Sequence, residues 1–369
     1  MSASARSCVL GGHDLAARWN QLVVDGAVTS SAPNPAGGEP IRYGVRLAES
    51  GAYEEWVDDE MLSRALQGGG SRRTLSAPPF VAQLQLLRTL RPPPTPNLAA
   101  LPPYDESTDS FVTGPLRLEL RPRAAELVAQ GGRHWDCYHN VAPCDPRGHF
   151  LLLPSIQDRQ NWRRQALTRE DCIDLIWLAC GSDGSYGAES PRADRLAEEP
   201  IPIESHQSGL LLCFNSIRAG ASQNHIHCQA WPSPPLGITM PYAAQLAGVR
   251  EGETGPLLLN LHRRQIETVQ LALLEYPVAC VRIMPLDGAF DEEGVMCAGG
   301  ALAELAAAFE KCGWPFNVVA SGGHLFVFVR SADAERSPQL PMLKLGSSEM
   351  MVDTTLPPPL PPSLPPSLP

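Results

Sequence analysis

The chain has 369 residues, 43% hydrophobic and 19% charged, enough for one large or two medium domains with a real core. Its formal charge of -11, from 40 acidic against 29 basic residues, excludes a general phosphate-backbone binder, so no nucleic-acid partner is expected and an anionic ligand needs a local site. The start, Met1 to Asn20, lacks the apolar run of a signal peptide, no segment is apolar for long enough to span a membrane, and the ten cysteines form no Cys-x-x-Cys pair; a cytoplasmic chain with free thiols, no membrane contact and no metal is expected.

In chain order, Asp14 to Val23 reads as a helix, followed by turns at Asp25-Gly26 and Asn34-Pro35. Glu54 to Gln67 reads as a further helix ending at Gly68-Gly69-Gly70. Phe80 to Leu86 is strand-like, and a Pro-rich linker runs from Pro92 to Pro103. Phe111 to Leu120 and His134 to Val141 also have strand patterns, and Gly148 to Pro154 reads as a buried strand behind a turn. Thr168 with Asp171 three residues on has the form of a capping box, opening a helix to Ala179. Gly181 to His206 is polar and Pro-containing, as a surface loop is.

The run Leu210 to Phe214 suits a buried strand, and Asn215-Ser216 with Gly220-Ala221-Ser222 suits a loop. Then comes His225-Ile226-His227-Cys228-Gln229. If it is extended, His225, His227 and Gln229 share one face, with Ile226, Cys228 and Ala230 on the other. Beyond it Ser233 to Met240 is irregular, Leu257 to Leu274 is helical in composition, Val278 to Met284 reads as a strand and Ala301 to Cys312 as a helix. Phe316 to Ala320 and Leu325 to Val329 form a hairpin around Ser321-Gly322-Gly323. The terminal run Leu356 to Pro369 cannot pack; it is either a solvated tail or a ligand for an SH3- or WW-type proline-recognition domain. Strands and helices mix without strict alternation, which predicts an α+β fold with a largely antiparallel sheet and packed helices.

Two histidines spaced by two on a strand have three ordinary uses. A shared metal ion needs further ligands, and no acidic residue stands nearby on the same face. Satisfied core histidines are the bland alternative. The third use is covalent catalysis, in which a neutral imidazole attacks the phosphorus of a pyrophosphate and the phosphoramidate is reopened by a second nucleophile. The Gly220-Ala221-Ser222 loop and Gln229 would then supply donors to the phosphate oxygens. Gln229, a neutral amide donor, fits transfer better than hydrolysis.

The HxHxQ pattern resembles the transferase branch of the histidine-triad superfamily. Four further segments, in the same order, are similar to the plant GDP-L-galactose and animal GDP-D-glucose phosphorylases. They are Phe80-Val81-Ala82-Gln83-Leu84 with Arg88, Arg91 and Pro92; Asn140-Val141-Ala142-Pro143 with Gly148-His149 and Leu151-Leu152-Leu153-Pro154; Tyr276-Pro277 with Pro315 to Val319 and Phe326-Val327-Phe328; and Leu345 to Met350. The resemblance implies two histidine-triad-like halves, residues 75–240 carrying the motif and residues 241–355, after an N-terminal helical and irregular region 1–74 and before a disordered Pro-rich tail, 356–369. It implies that a GDP-hexose and inorganic phosphate give hexose 1-phosphate and GDP, with His227 as the guanylylated nucleophile. His225 and Gln229 position it and the phosphate oxygens, Ser222 contacts phosphate, and Asn215 lies near ribose or phosphate. Ser216, Gly220, Asn224, Arg218 and His149 complete the implied substrate and phosphate site. No cofactor is implied, and a homodimer is compatible with the superfamily.

This sequence departs from the pattern in places. Of the segment that normally follows the linker, Tyr104 to Gly114 keeps only Asp109-Ser110-Phe111, which leaves the base and sugar open. Arg218 stands where Gly is usual. Gly220-Ala221-Ser222-Gln223 looks more like the diadenosine tetraphosphate phosphorylases, so an adenylyl-transferring enzyme is the alternative, with a non-catalytic nucleotide-binding relative as a third reading.

Overall fold

The computed structural model describes residues 12–32, 38–58, 74–77, 80–83, 103–114, 117–121, 123–129, 131–140, 143, 145, 148–180, 210–232, 269–274, 279–286, 290–321 and 324–330. Helix α1 (Gly12–Val24) is followed by strands β1 (Thr29–Ala32), β2 (Ile41–Leu47) and β3 (Tyr53–Val57), then β4 (Thr74–Ala77) and β5 (Phe80–Gln83). Next come β6 (Ala125–Val128), β7 (His134–His139), β8 (Phe150–Pro154), helix α2 (Arg169–Cys180), β9 (Leu211–Asn215) and β10 (Cys228–Trp231). The chain continues with β11 (Val269–Leu274), β12 (Cys280–Pro285), helix α3 (Glu292–Cys312), β13 (Phe316–Ser321) and β14 (His324–Val329). The α+β class expected from the sequence is the one observed.

Nine strands form one antiparallel sheet in the order β11-β12-β14-β13-β9-β10-β8-β7-β6. Within it the path β7-β8-α2-β9-β10 and the path β11-β12-α3-β13-β14 have the same topology. The two meet through equivalent strands, β9 and β13, paired antiparallel from Asn215↔Asn317 to Leu212↔Ala320, which relates them by a local two-fold. Both helices lie on one face. There Leu212, Phe214, Phe316, Val318, Leu325 and Val327 meet Leu175, Ile176, Leu302, Leu305 and Ala306 in the main core. Burying each large side chain stabilises the fold by about 1.5–3 kcal/mol. A smaller cluster on the opposite face of the first half joins Phe111, Leu118, Tyr138, Leu151 and Leu153.

Four expectations need correction. Tyr53–Val57 is a strand, where a helix from Glu54 was expected. Aromatic and β-branched Tyr53, Trp56 and Val57 pair with β2 from Tyr43↔Val57 to Leu47↔Tyr53, and Ile41, Tyr43, Val45 and Val57 join the core with Leu15 and Trp19 of α1. Phe111 to Leu120 is no strand: Asp109 binds the N–H of Phe111 through its side chain, and the N–H groups of Val112, Thr113 and Gly114 through its carbonyl. These local bonds displace the ladder. Val269–Leu274 is a strand rather than a helix end, paired with β12 along its length. Finally, α3 begins at Glu292, well before Ala301. Asp291 caps it by accepting the N–H of Gly294, and Gly299-Gly300, which looks like a break, lies where α2 crosses; a Cβ on Gly299 would stand 2.5 Å from the Ile173 side chain. The expected turn at Asn34-Pro35, the linker 92–102, the loop 181–206, residues 59–67, 233–240 and 257–268, and the segment and tail beyond 330 fall outside the described residues.

The capping box forms as expected. Thr168 N–H donates to Asp171 Oδ2 at 2.8 Å and Asp171 N–H to Thr168 Oγ1 at 3.2 Å. Arg163 and Arg133 also bind the Asp171 carboxylate, at 2.6 and 2.9 Å. One helical turn on, Asp174 accepts from Trp135 Nε1 at 2.8 Å and pairs with Arg133 at 2.8 Å. Burial pushes its carboxyl up to about 6, partly opposed by the Trp135 bond and the Arg133 charge. A carboxyl raised in the folded state adds stability that is complete below its unfolded value near 3.8 and is lost as pH rises through about 6. Asp174→Asn removes this dependence. Urea unfolding should show the variant losing about 1–3 kcal/mol relative to the wild type as pH falls from 7 to 4; parallel pH profiles would contradict the assignment.

Candidate active site

The alternation around the histidines holds. Ile226, Cys228 and Ala230 enter the helix-covered core, and His225, His227 and Gln229 occupy the opposite face. Pairing of β10 with β9 runs from Trp231↔Leu211 to Cys228↔Phe214, and one further step would set His227 against Asn215. The amide of Gln165 takes that place instead. Its Oε1 accepts His227 N–H at 2.8 Å, while its Nε2 donates to Asn215 O at 2.8 Å and to His227 O at 3.0 Å. The same stretch receives Ile226 N–H on Arg163 O, and Gln165 N–H reaches Asn224 Oδ1 at 3.1 Å. Residues 163–165 therefore hold the motif where the ladder ends, and Arg163 is tied to the capping Asp171 of α2.

Both imidazoles are almost wholly buried, His225 at 1% and His227 at 4% exposure. His227 Nδ1–H donates to His225 O at 2.8 Å. In a neutral ring this sets the remaining lone pair on Nε2. His225 Nδ1–H donates to Asp109 Oδ2 at 2.5 Å. Burial pushes the Asp109 carboxyl up, but the bond and charge of His225, the Phe111 N–H and Tyr104 outweigh it and hold it below the usual carboxylate range. His225 Nε2 is buried with no hydrogen-bond partner among the described residues. Phe111 stands edge-on to both rings, at 5.6 Å from His225 and 5.3 Å from His227, and Tyr104 is edge-on to His225 at 6.2 Å. Burial, then the Asp109 charge, push the Tyr104 phenol up, so it stays neutral.

Gln229 is oriented from the other side. Its Oε1 lies 3.0 Å from His149 Nε2, so a proton on that nitrogen is donated to the amide oxygen and the amide N–H2 is turned away as the free donor end. His149 is buried and stacked on Trp231 with centroids 4.5 Å apart, and the Asn140 amide lies 3.3 Å from the same ring nitrogen. His149, expected at the substrate, is in contact with Gln229.

The loop residues divide. Asn215 Oδ1 accepts from Asn317 Nδ2 at 2.8 Å, and Ser216 Oγ accepts Phe316 N–H at 2.8 Å while lying 3.3 Å from Ile217 O. Both tie the two halves of the sheet together. Asn224 holds Gln165. Gly220 has φ +100° and Arg218 φ +68°, a left-handed conformation that glycine adopts without strain. Ser222 is exposed at the tip. Asp109, Phe111 and Gln165 were not anticipated as site residues. Asp109-Ser110-Phe111 was visible only as the kept remnant of a degraded segment, and Gln165 gives no signal in a sequence because its role is set by backbone groups far along the chain.

Among the described residues no group of three or more His, Cys, Asp or Glu side chains is placed to hold a metal ion, and no helix is long and apolar enough to cross a membrane. No family model matches the chain, and no curated protein matches it. Among solved structures it is similar to Ap4A phosphorylase Apa2 from yeast. The structure of that enzyme alone matches at 16% identity and TM-score 0.43, covering 77% of this chain and 80% of the other. Its complex with Ap4A matches at 19% and 0.42, covering 77% and 82%, and its complex with AMP at 18% and 0.40, covering 75% and 76%. Likeness of this order fixes no ligand for this chain.

Gln165 yields a direct test of the local frame. Gln165→Ala leaves His227 N–H and two carbonyls without their partner, and urea unfolding should register a loss of about 1–3 kcal/mol. Gln165→Glu sets a carboxylate oxygen against those carbonyls, so it should be at least as destabilising at pH 7 and recover as the pH is lowered and the acid becomes a donor. A wild-type midpoint in both variants would remove Gln165 from the account.

Proposed function

We propose that the chain is a nucleotidyltransferase that works through a nucleotidyl-His227 intermediate. The observation that carries this is the bond from His227 Nδ1–H to His225 O, which presents Nε2 as the nucleophilic nitrogen. Its lone pair attacks the α-phosphorus of a phosphoanhydride. The bond from that phosphorus to the bridging oxygen breaks, and the electron pair leaves with the distal phosphate. An oxygen of inorganic phosphate then attacks the same phosphorus, the P–N bond breaks, and its pair returns to Nε2. Gln229 serves both steps as a neutral donor to the phosphate oxygens, its orientation fixed by His149. Arg218, in the turn before the histidines, and the exposed Ser222 are the remaining groups assigned to phosphate.

The substrate proposed first is a GDP-hexose, giving hexose 1-phosphate and GDP, on the support of the four ordered segments around Phe80, His149, Phe316 and Gly346. The second is diadenosine tetraphosphate, the ligand in one of the yeast structures; the Gly220-Ala221-Ser222-Gln223 run favours it. The chain is incubated with GDP-glucose, GDP-galactose, GDP-mannose and diadenosine tetraphosphate, each with and without phosphate. Phosphate-dependent release of GDP from a GDP-hexose is expected, with covalent label on the protein that is absent from His227→Ala. Turnover of the dinucleotide alone moves the assignment to the second substrate. Binding of nucleotide without label from any substrate sinks the enzyme reading and leaves a non-catalytic nucleotide-binding protein.

A further inference from the structure

We propose that Asp109 is a positioning residue for the nucleophile: by anchoring His225 it fixes the carbonyl that selects the reactive tautomer of His227. The inference rests on His227 being the nucleophile. The pairing of β10 with its neighbours starts at Cys228, so no strand partner holds residue 225. Ile226 and His227 are held through their N–H groups by residues 163–165. For His225 the side chain does this work, through the 2.5 Å bond to Asp109 Oδ2. Asp109 is itself oriented, because Phe111 N–H donates to its Oδ1 at 2.9 Å. An ionised carboxylate only accepts, so the proton of this bond stays on His225 Nδ1.

The consequence for His227 is electrostatic. With residue 225 fixed, its carbonyl faces His227 Nδ1 at 2.8 Å. Moving the ring proton to Nε2 would set a nitrogen lone pair against the carbonyl lone pairs and remove the nucleophilic electron pair at once. The carbonyl of residue 225 thus favours the Nδ1–H tautomer, and its placement depends on Asp109. Among the described neighbours in the segment that covers the rings, Tyr104 is neutral, the exposed Asp105 accepts from Ser107, and Glu106 is paired with Arg159 at the surface. With the proton of His225 on Nδ1, the buried Nε2 of a neutral ring, which has no partner among the described residues, is an acceptor and would meet only a ligand O–H or N–H.

The test uses the full chain with Asp109→Ala and Asp109→Asn. Imidazole 15N resonances report the tautomer of His227. Single-turnover labelling with GDP-glucose and diadenosine tetraphosphate reports the chemical step, and equilibrium binding reports affinity. The wild type should hold His227 in the Nδ1–H form. In Asp109→Ala the resonances should move toward a tautomer mixture and labelling should slow about 10²-fold, against a limit of about 10⁴-fold seen when a catalytic imidazole loses its tautomer, while substrate affinity changes less than about 3-fold. Asp109→Asn, nearly isosteric, should fall between the two and carries the comparison where the alanine variant does not fold. An Nε2–H tautomer in the wild type, an unchanged tautomer and labelling rate in the variants, or a loss confined to affinity would each overturn the proposal. Absence of label from the wild type with the expected tautomer shift would instead reject the transferase reading and leave the positioning role standing.

Discussion

The arrangement turns on a single side-chain amide lodged where two strands would otherwise pair. Gln165 satisfies the N–H and C=O of His227 and the C=O of Asn215, groups that a continuing ladder would have satisfied for each other. A backbone stretch released from its partner strand would ordinarily leave buried donors and acceptors at a cost of about 1–3 kcal/mol each. The amide absorbs that cost, so the chain before β10 can leave the sheet plane while its hydrogen bonds stay complete. Because residues 163–165 are tied through Arg163 to the first turn of α2, the position of the imidazoles is referred to the start of that helix.

Around that point the two rings are fixed by different means. His227 is held by backbone, through the carbonyl two residues earlier, and His225 by a carboxylate from a segment far upstream. Gln229 is held by a third ring, His149, itself stacked on Trp231. Each of these anchors engages one named atom of its group. In the proposed transferase, such anchoring would preorganise the donors and the nucleophile.

Much of this was legible in the sequence, and the exceptions have physical causes. Periodicity identified the face shared by His225, His227 and Gln229, the capping pair Thr168 and Asp171, and the strands at Phe150, Leu211, Cys280 and Phe316, because each is a local pattern with its own spacing. The stretch Tyr53–Val57 was misread because Glu54 and Glu55 suit a helix and the β2 partner that overrides them is a tertiary fact. The helix expected only from Ala301 starts at Glu292, and the close approaches to Gly299 and Gly300, by Ile173 and Arg169, come from another helix. Asp109 and Gln165 were invisible as site residues for the same reason: their partners are 116 and 62 residues away in sequence.

The pairing of β9 with β13 joins two similar halves through strands of one polypeptide. Their association is therefore a loop-closure problem, set by chain entropy, and not a bimolecular equilibrium that dilution can undo. A covalent tether also frees the halves from having to be identical. In β14 the sequence Phe326-Val327-Phe328 is wholly buried apolar surface, where β10 carries Gln229 directly after the histidines. Among the described residues the imidazoles and Gln229 lie in one half alone, an asymmetry that a symmetric pair of identical chains would be unable to adopt.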